Sequence, residues 1–377
     1  MNVQEKFDLI ARNTEEVLTP EDLKKFLKNK EKLKHYIGFE ISGRVHLGTG
    51  LMCGQKIADF QKAGVECSCY LATWHAWINN KLGGDLDLIR GIGAEYFREA
   101  LKVSIDIMGG DSKKVKFITG DELYHNNDLY WQTMLDVSKH ITLNKAMKSI
   151  TILGRKEGES VNFAQLVYPP MQVADIFIQG LNIAHSGMDQ RKAHVVAREV
   201  AKKLTIKPLL NKEKEKVSPI AVHHHLILGL QKPSIWPVPK ENIQELWSTQ
   251  KMSKSIPNSA VFLLDSPEEI RKKMKKAFCP EKETGFNPVL DWTKHLLFVD
   301  DKFVLNIERP EKFGGNVSYD SYQKLETDYK KGKLHPMDLK TAVGEALVKK
   351  LEPARKHFSK PKLKKIVEKM KSLTITR

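Results

Sequence analysis

Three short stretches of this chain carry residue types and spacings that could do chemistry. The first is "GRVHLGTG", residues 43–50. It places His46, Gly48 and Thr49 where an apolar run gives way to a helical pattern. Backbone N–H groups at such a helix start attract anions, so a phosphate-bearing ligand is the natural occupant. The spacing is neither GxGxxG nor GxxxxGK[ST], so neither familiar glycine loop explains it. The second stretch is "QKMSKSIPNS", residues 250–259, with Lys251, Ser253, Lys254 and Ser255 ahead of Pro257. Two compact ammonium charges and two hydroxyls on a loop can follow a moving phosphate. The third is "VYPPMQVAD", residues 167–175. Tyr168, Gln172 and Asp175 are four and three residues apart, which on a helix puts them on one face, around one small ligand. A fourth stretch, "HHH" at 223–225, invites a metal. Consecutive strand residues point to opposite faces, so the three imidazoles do not converge, and we expect no metal.

The elements that must position these groups alternate. The first 30 residues read as two short helices, the second opened by Thr19 as N-cap with Pro20 at its first position. Strands are expected at 34–41, 67–73, 115–119 and 182–187, with a further extended run at 218–230. Helices are expected at 47–63, 85–108, 127–149, 160–180 and 189–204. Alternating strands and helices imply a parallel sheet covered on both faces. After about residue 260 the pattern becomes helical with basic faces. The expected division is therefore N-terminal helices over 1–32, an α/β domain over 33–260 and an all-helical domain over 261–377.

Bulk properties narrow the class. The chain has 377 residues, 41% hydrophobic and 29% charged, as in ordinary globular proteins. No apolar run reaches the roughly 18 residues of a membrane span. The first 18 residues carry acids and lack a continuous apolar core, so they do not read as a signal peptide. Four scattered cysteines, Cys53, Cys67, Cys69 and Cys279, suit buried free thiols in a reducing cytoplasm. The net charge is +16. From Lys331 to Arg377, 14 Lys and Arg face 4 Asp and Glu, a net of +10. That balance favours a polyanionic partner.

Taken together, "HLGTG" and "KMSKS" resemble the paired signatures of class I aminoacyl-tRNA synthetases, the first being written HIGH in that family. "HYIGFEISGRVHLGTG", "VYPPMQVADI", "SGMDQRKAHVVARE", "SPEEIRKKMKKAFCP", "RPEKFGG" and "LHPMDLK" are similar, in order, to the tyrosyl branch in its archaeal form. The resemblance implies a Rossmann-type catalytic domain, an anticodon-binding domain, and a connective insertion at about 120–180 with a homodimer interface. It implies ATP with Mg²⁺, L-tyrosine and tRNA(Tyr) as partners, with neither membrane nor DNA. His46, Gly48, Thr49, Lys251 and Lys254 would act catalytically, with Asp189, Ser253 and Ser255 also on ATP. Tyr36, Tyr168, Gln172, Asp175 and Gln190 would hold tyrosine. Arg191, His335 and Asp338 would meet the tRNA. Two positions depart from the family pattern: Thr49 replaces a second histidine, and Thr73 stands where relatives often have Asp. A tryptophanyl enzyme and a non-catalytic RNA-binding paralogue are the rival readings. Asp175 and Tyr36 suit a phenol better than an indole. His46 with an intact "KMSKS" argues for catalysis.

Overall fold

The computed structural model describes residues 1–154, 159–239, 247, 249–254 and 256–373. Its centre is a six-stranded sheet: β1 (Thr14–Leu18), β2 (Lys34–Glu40), β3 (Glu66–Ala72), β4 (Lys116–Thr119), β5 (Ile183–Gly187) and β6 (Ile220–His224). The strand order is β1-β6-β5-β2-β3-β4. All neighbouring pairs are parallel except the antiparallel edge pair β1–β6. The chain crosses from one half of the sheet to the other between β2 and β5, which opens a crevice at the carboxyl ends of those strands.

Helices cover both faces: α1 (Val3–Ala11), α2 (Pro20–Lys28), α3 (Cys53–Lys62), α4 (Thr73–Ile78), α5 (Ala94–Ile107), α6 (Gly120–Tyr124), α7 (Asp128–Lys139), α8 (Leu143–Ser149), α9 (Phe163–Ile178) and α10 (Arg191–Val200). Thr19 caps α2 as expected, accepting from the Asp22 N–H at 3.1 Å. A Cβ at Gly54 would stand 2.7 Å from the Ser104 carbonyl oxygen, so glycine lets α3 lie close against α5.

Three expectations need correction. The first 30 residues are not two helices alone, because "TEEVL" between them forms β1. Two glutamates in five residues give no local strand signal. The open edge of β6 decides the matter by pairing Glu16 with His223 and Leu18 with Ala221. The helix expected over 127–149 breaks at His140, and α8 restarts on its own cap, Thr142. The last third is not all helical. Beside α11 (Pro267–Lys276), α12 (Pro288–Trp292), α13 (Tyr322–Lys330), α14 (Pro336–Lys350), α15 (Glu352–Phe358) and α16 (Pro361–Ser372) it holds a hairpin of β7 (Leu305–Ile307) and β8 (Val317–Tyr319). These strands are three residues long, too short for periodicity to register.

The core runs without a break across residue 260. Leu23, Ile37, Phe60, Phe97, Phe262, Trp292 and Leu347 belong to one apolar cluster. The segment after "KMSKS" lies along the turn after β2: the Leu47 N–H donates to the Val261 carbonyl at 3.0 Å, and that of Leu263 to Val45 at 2.9 Å. This pairing, with a bridge between His46 and Phe262, brings the two signature stretches to one place.

Candidate active site

A cleft of about 650 Å³ opens at the carboxyl ends of β2, β5 and β6. His46, Gly48 and Thr49 line it from the turn after β2, and Lys251, Ser253 and Lys254 from the opposite rim. Tyr36 reaches it from β2; Tyr168, Gln172 and Asp175 from one face of α9; Asp189 and Gln190 from the turn after β5. Twelve residues spread over more than 200 positions of the sequence thus share one cleft. Ser255 lies outside the described residues. Arg191, His335 and Asp338 are not part of the cleft lining.

At the deep end, the Tyr124 hydroxyl donates to Asp175 Oδ1 at 2.9 Å, and the Tyr70 and Tyr124 hydroxyls hydrogen-bond each other. Asp175 Oδ2 is buried with no hydrogen-bond partner among the described residues, and so is Gln172 Oε1. Burial lifts the Asp175 carboxyl to about 8, against the hydrogen bonds from Tyr124 and Tyr130. Burial likewise raises the Tyr36 phenol. Gln172 donates to Gln190 at 3.4 Å, and Gln190 donates to the Ile152 carbonyl at 2.9 Å. Two unmet polar atoms, about one helical turn apart, therefore face the same space.

The rim is basic. His46 is half-buried among cationic neighbours: loss of solvation first, then Lys254 and Lys251, hold its imidazole down to about 3. It is therefore neutral near pH 7. Its Nδ1 accepts the Thr49 N–H at 3.3 Å, which leaves the proton on Nε2, 3.3 Å from Thr49 Oγ1. Thr49 thus engages His46, its N–H setting the tautomer and its hydroxyl meeting the other ring nitrogen. Gly48 keeps that arrangement open, since a Cβ there would stand 3.2 Å from the ring. Lys254 donates to Ser42 Oγ and lies 5.5 Å from the Phe97 ring centroid. Burial lowers its ammonium to about 8, partly offset by Glu40. Lys251 Nζ meets Asp189 Oδ2 at 2.6 Å. Burial works to raise the Asp189 carboxyl, but the adjacent Lys251 charge prevails and lowers it.

Sequence reasoning missed several groups. Glu40, at the end of β2, supplies a carboxylate in the cleft, bonded by Asn79 at 2.9 Å and faced by Lys81 at 3.6 Å. Tyr70, His75 and Tyr124 surround Asp175; they come from β3, α4 and α6, and no spacing rule joins them. Thr73 is fully buried and is not part of the cleft lining.

The three consecutive histidines turn to different partners, as strand alternation requires. His223 faces His194 and Glu16, His224 faces His185, and His225 lies between Glu15 and Asp291. His225, Asp291 and His295 do bring ligand-capable atoms within 4.8 Å of one another. The two rings stack at 4.0 Å with 19° between their planes, so a cation in one ring plane lies off the other. Burial lowers the His225 imidazole, but Asp291 and Glu15 outweigh it and raise it to about 9. An imidazolium clamped by two carboxylates accounts for the cluster.

Away from the cleft, the Arg191 guanidinium is held in bidentate fashion by Glu16 at 2.7 and 2.8 Å. His335 caps α14 and is exposed, with Asp338 in the first turn behind it. Phe313, 61% exposed, sits on a neighbouring loop. Arg309 ties the two loops together by donating to the Gly315 and Lys333 carbonyls at 2.6 and 2.8 Å.

Comparison with known proteins agrees with this geometry. Residues 28–352 match the family described as tRNA synthetases class I (W and Y). A tyrosine–tRNA ligase of Thermococcus sibiricus is 55% identical, and one of Pyrococcus abyssi 53%, each over the full length of both chains. The crystal structure of a tyrosyl-tRNA synthetase from Pyrococcus horikoshii, complexed with L-tyrosine, superposes with a TM-score of 0.94 at 53% identity, covering 99% of this chain and 100% of that one. A tryptophanyl-tRNA synthetase from Aeropyrum pernix shares the fold at a TM-score of 0.63 and 20% identity. The chain belongs to the class I tyrosine–tRNA ligases of archaeal type.

Proposed function

We propose that this chain activates L-tyrosine with ATP and transfers it to the 3′ end of tRNA(Tyr). The observation that carries the reading is the pair of buried polar atoms in one cleft, Asp175 Oδ2 and Gln172 Oε1, that have no hydrogen-bond partner among the described residues. A tyrosine phenol hydrogen-bonds the first and the Tyr36 hydroxyl. Its ammonium donates to Gln172, with Tyr168 and Gln190 alongside. The carboxylate then points toward the basic rim.

There the tyrosine carboxylate attacks the α-phosphate of ATP, and pyrophosphate leaves. The tRNA ribose hydroxyl next attacks the activated carbonyl, releasing AMP. Neither step needs a protein nucleophile, so the protein positions reactants and steadies charge on the phosphates. His46 supplies a neutral Nε2–H, oriented by Thr49. Lys251 and Lys254 follow the β- and γ-phosphates, with Ser253 and Ser255 on the same loop. Asp189 takes the ribose hydroxyls, and Gly48 leaves room for the base. Mg²⁺ enters with ATP. The phosphate end of the cleft is lined by lysines, which fits an ion held by phosphate oxygens and water.

The division at 1–32, 33–260 and 261–377 assigns anticodon reading to the last part. Its basic surface, the exposed His335 and Phe313 rings and the Asp338 carboxylate suit an unstacked base. Arg191 follows Gln190 of the cleft lining and meets the acceptor end once it leaves Glu16. Exposed Leu129, Leu135, Leu143 and Phe163 on α7, α8 and α9 support a homodimer through the insertion. The four free thiols fit a cytoplasmic setting. Tyrosine-dependent exchange of pyrophosphate into ATP tests the whole reading. Exchange driven by tryptophan, or by no amino acid, would overturn it.

A further inference from the structure

Three histidines form a hydrogen-bonded row across the sheet. His35 on β2, His185 on β5 and His224 on β6 share one face, each a diagonal neighbour of the next by strand register. His35 Nε2 meets His185 Nδ1 at 2.9 Å, and His185 Nε2 meets His224 Nδ1 at 2.8 Å. All three are buried. Burial holds them neutral, lowering His35 and His224 to about 3 and His185 well below its usual value. A neutral imidazole has one N–H and one lone pair, so the row can be polarised in only two directions.

His35 decides which. Its Nδ1 is buried with no partner among the described residues. Were the row to donate toward His35, that nitrogen would be an N–H with nothing to receive it. In the other direction it is an unused lone pair, the cheaper of the two defects. His35 therefore donates to His185, His185 donates to His224, and the last proton sits on His224 Nε2. That end opens to the cleft, which His224 lines. A Cβ at Gly187 would stand 2.6 Å from Asp189 Oδ1, 2.6 Å from Leu226 Cδ2 and 3.4 Å from His224 Nε2, so only a bare glycine lets the carboxylate and the imidazole approach the same point of the cleft.

We infer that His224 is a specificity residue for the nucleotide ribose, its Nε2–H donating to the oxygen of a hydroxyl whose hydrogen goes to Asp189. The inference rests on the reading of Asp189 as the ribose carboxylate. A hydroxyl both donates and accepts, and a carboxylate alone meets only half of that. A nucleotide lacking the hydroxyl leaves the His224 N–H unpaired.

The test is tyrosine-dependent pyrophosphate exchange with ATP, 2′-deoxy-ATP and 3′-deoxy-ATP, for wild type, His224→Leu, His224→Gln and Asp189→Asn. His224→Leu should lower kcat/KM for ATP about tenfold, the worth of one buried neutral hydrogen bond, and barely change it for one deoxy analogue. Discrimination against that analogue then shrinks about tenfold, and His224→Gln, which keeps an N–H, restores part of it. Equal losses for all three nucleotides in His224→Leu would overturn the inference. If Asp189→Asn narrows the discrimination while His224→Leu does not, only the role of His224 fails. If Asp189→Asn leaves it intact, the ribose assignment itself fails. Nitrogen-15 spectra of labelled histidine in the unliganded wild type give a readout independent of any variant's folding. They should show His185 and His224 as neutral Nε2–H tautomers, and an Nδ1–H signal at His224 would overturn the inference.

Discussion

Lys251 Nζ rests 2.6 Å from Asp189 Oδ2, so the lysine of the phosphate-following loop occupies the carboxylate assigned to the ribose. Both side chains are about one-third exposed, at 35% and 34%. ATP must separate them, freeing Asp189 for the ribose and Lys251 for the phosphates. A pair this exposed contributes ~0.2–1 kcal/mol. Lys251→Ala should therefore bind adenosine, which has no phosphates, up to about fivefold tighter. The same variant should exchange pyrophosphate at least ~100-fold more slowly, having lost a charge aimed at the transition state. Calorimetry with adenosine checks the first part, and weaker adenosine binding would mean that the pair does not compete with the ribose.

His46→Ala removes a preorganised donor and should cost ~2.7–4 kcal/mol in adenylate formation, by analogy with oxyanion donors. Thr49→Ala removes only the orienting contact and should cost about 0.5–1.5 kcal/mol. Pre-steady-state adenylation rates separate the two. A larger loss in Thr49→Ala would reverse the roles given to them.

Asp175 combines a stability effect with a specificity effect. Its carboxyl keeps its proton to about pH 8 in the folded chain but ionises near 3.8 when unfolded. The unfolded state thus binds fewer protons between those values, and the stability this group contributes is full below pH 4 and lost as pH rises to 8. Asp175→Asn escapes that loss. The unliganded variant should melt at about the wild-type temperature near pH 4 and progressively above it toward pH 8. A constant difference across that range would show that Asp175 does not titrate as described. In exchange assays the variant should lose most of its preference for tyrosine over phenylalanine. In the wild type, phenylalanine leaves Asp175 Oδ2 buried and unmet, at ~1–3 kcal/mol or more.

Asp338→Ala and Phe313→Ala should weaken aminoacylation of tRNA through RNA affinity. Tyrosine-dependent pyrophosphate exchange needs no RNA and should keep its rate. Each variant removes one base contact, about 1–3 kcal/mol for stacking in the case of Phe313. Parallel loss of both reactions would point to a folding defect and remove the support for an anticodon role.

Leu143 and Phe163 are 70% and 79% exposed at neighbouring helix starts of the insertion. Leu143→Asp with Phe163→Asp should turn a dimer into a monomer. Light scattering at micromolar concentration reads this directly, and an unchanged mass would place the interface elsewhere.

Local signals carried the sequence a long way. The five parallel strands were legible because short apolar runs alternate with amphipathic helices. The cap at Thr19 follows from a side chain bonding the N–H group three residues on. The face shared by Tyr168, Gln172 and Asp175 follows from helical spacing alone. The motifs around His46 and Lys251 named the family before any fold was known. What the sequence could not decide was set by partners distant along the chain. β1 exists because β6 offers an edge and because His223, His225 and Arg191 receive its two glutamates. Glu40, Tyr70 and Tyr124 belong to the cleft only because β2, β3 and α6 end beside one another. Thr49 is the partner of His46 through a contact that only the closed turn creates. The direction of the histidine row depends on a single nitrogen of His35 that has no partner among the described residues, a property of burial that no residue spacing encodes.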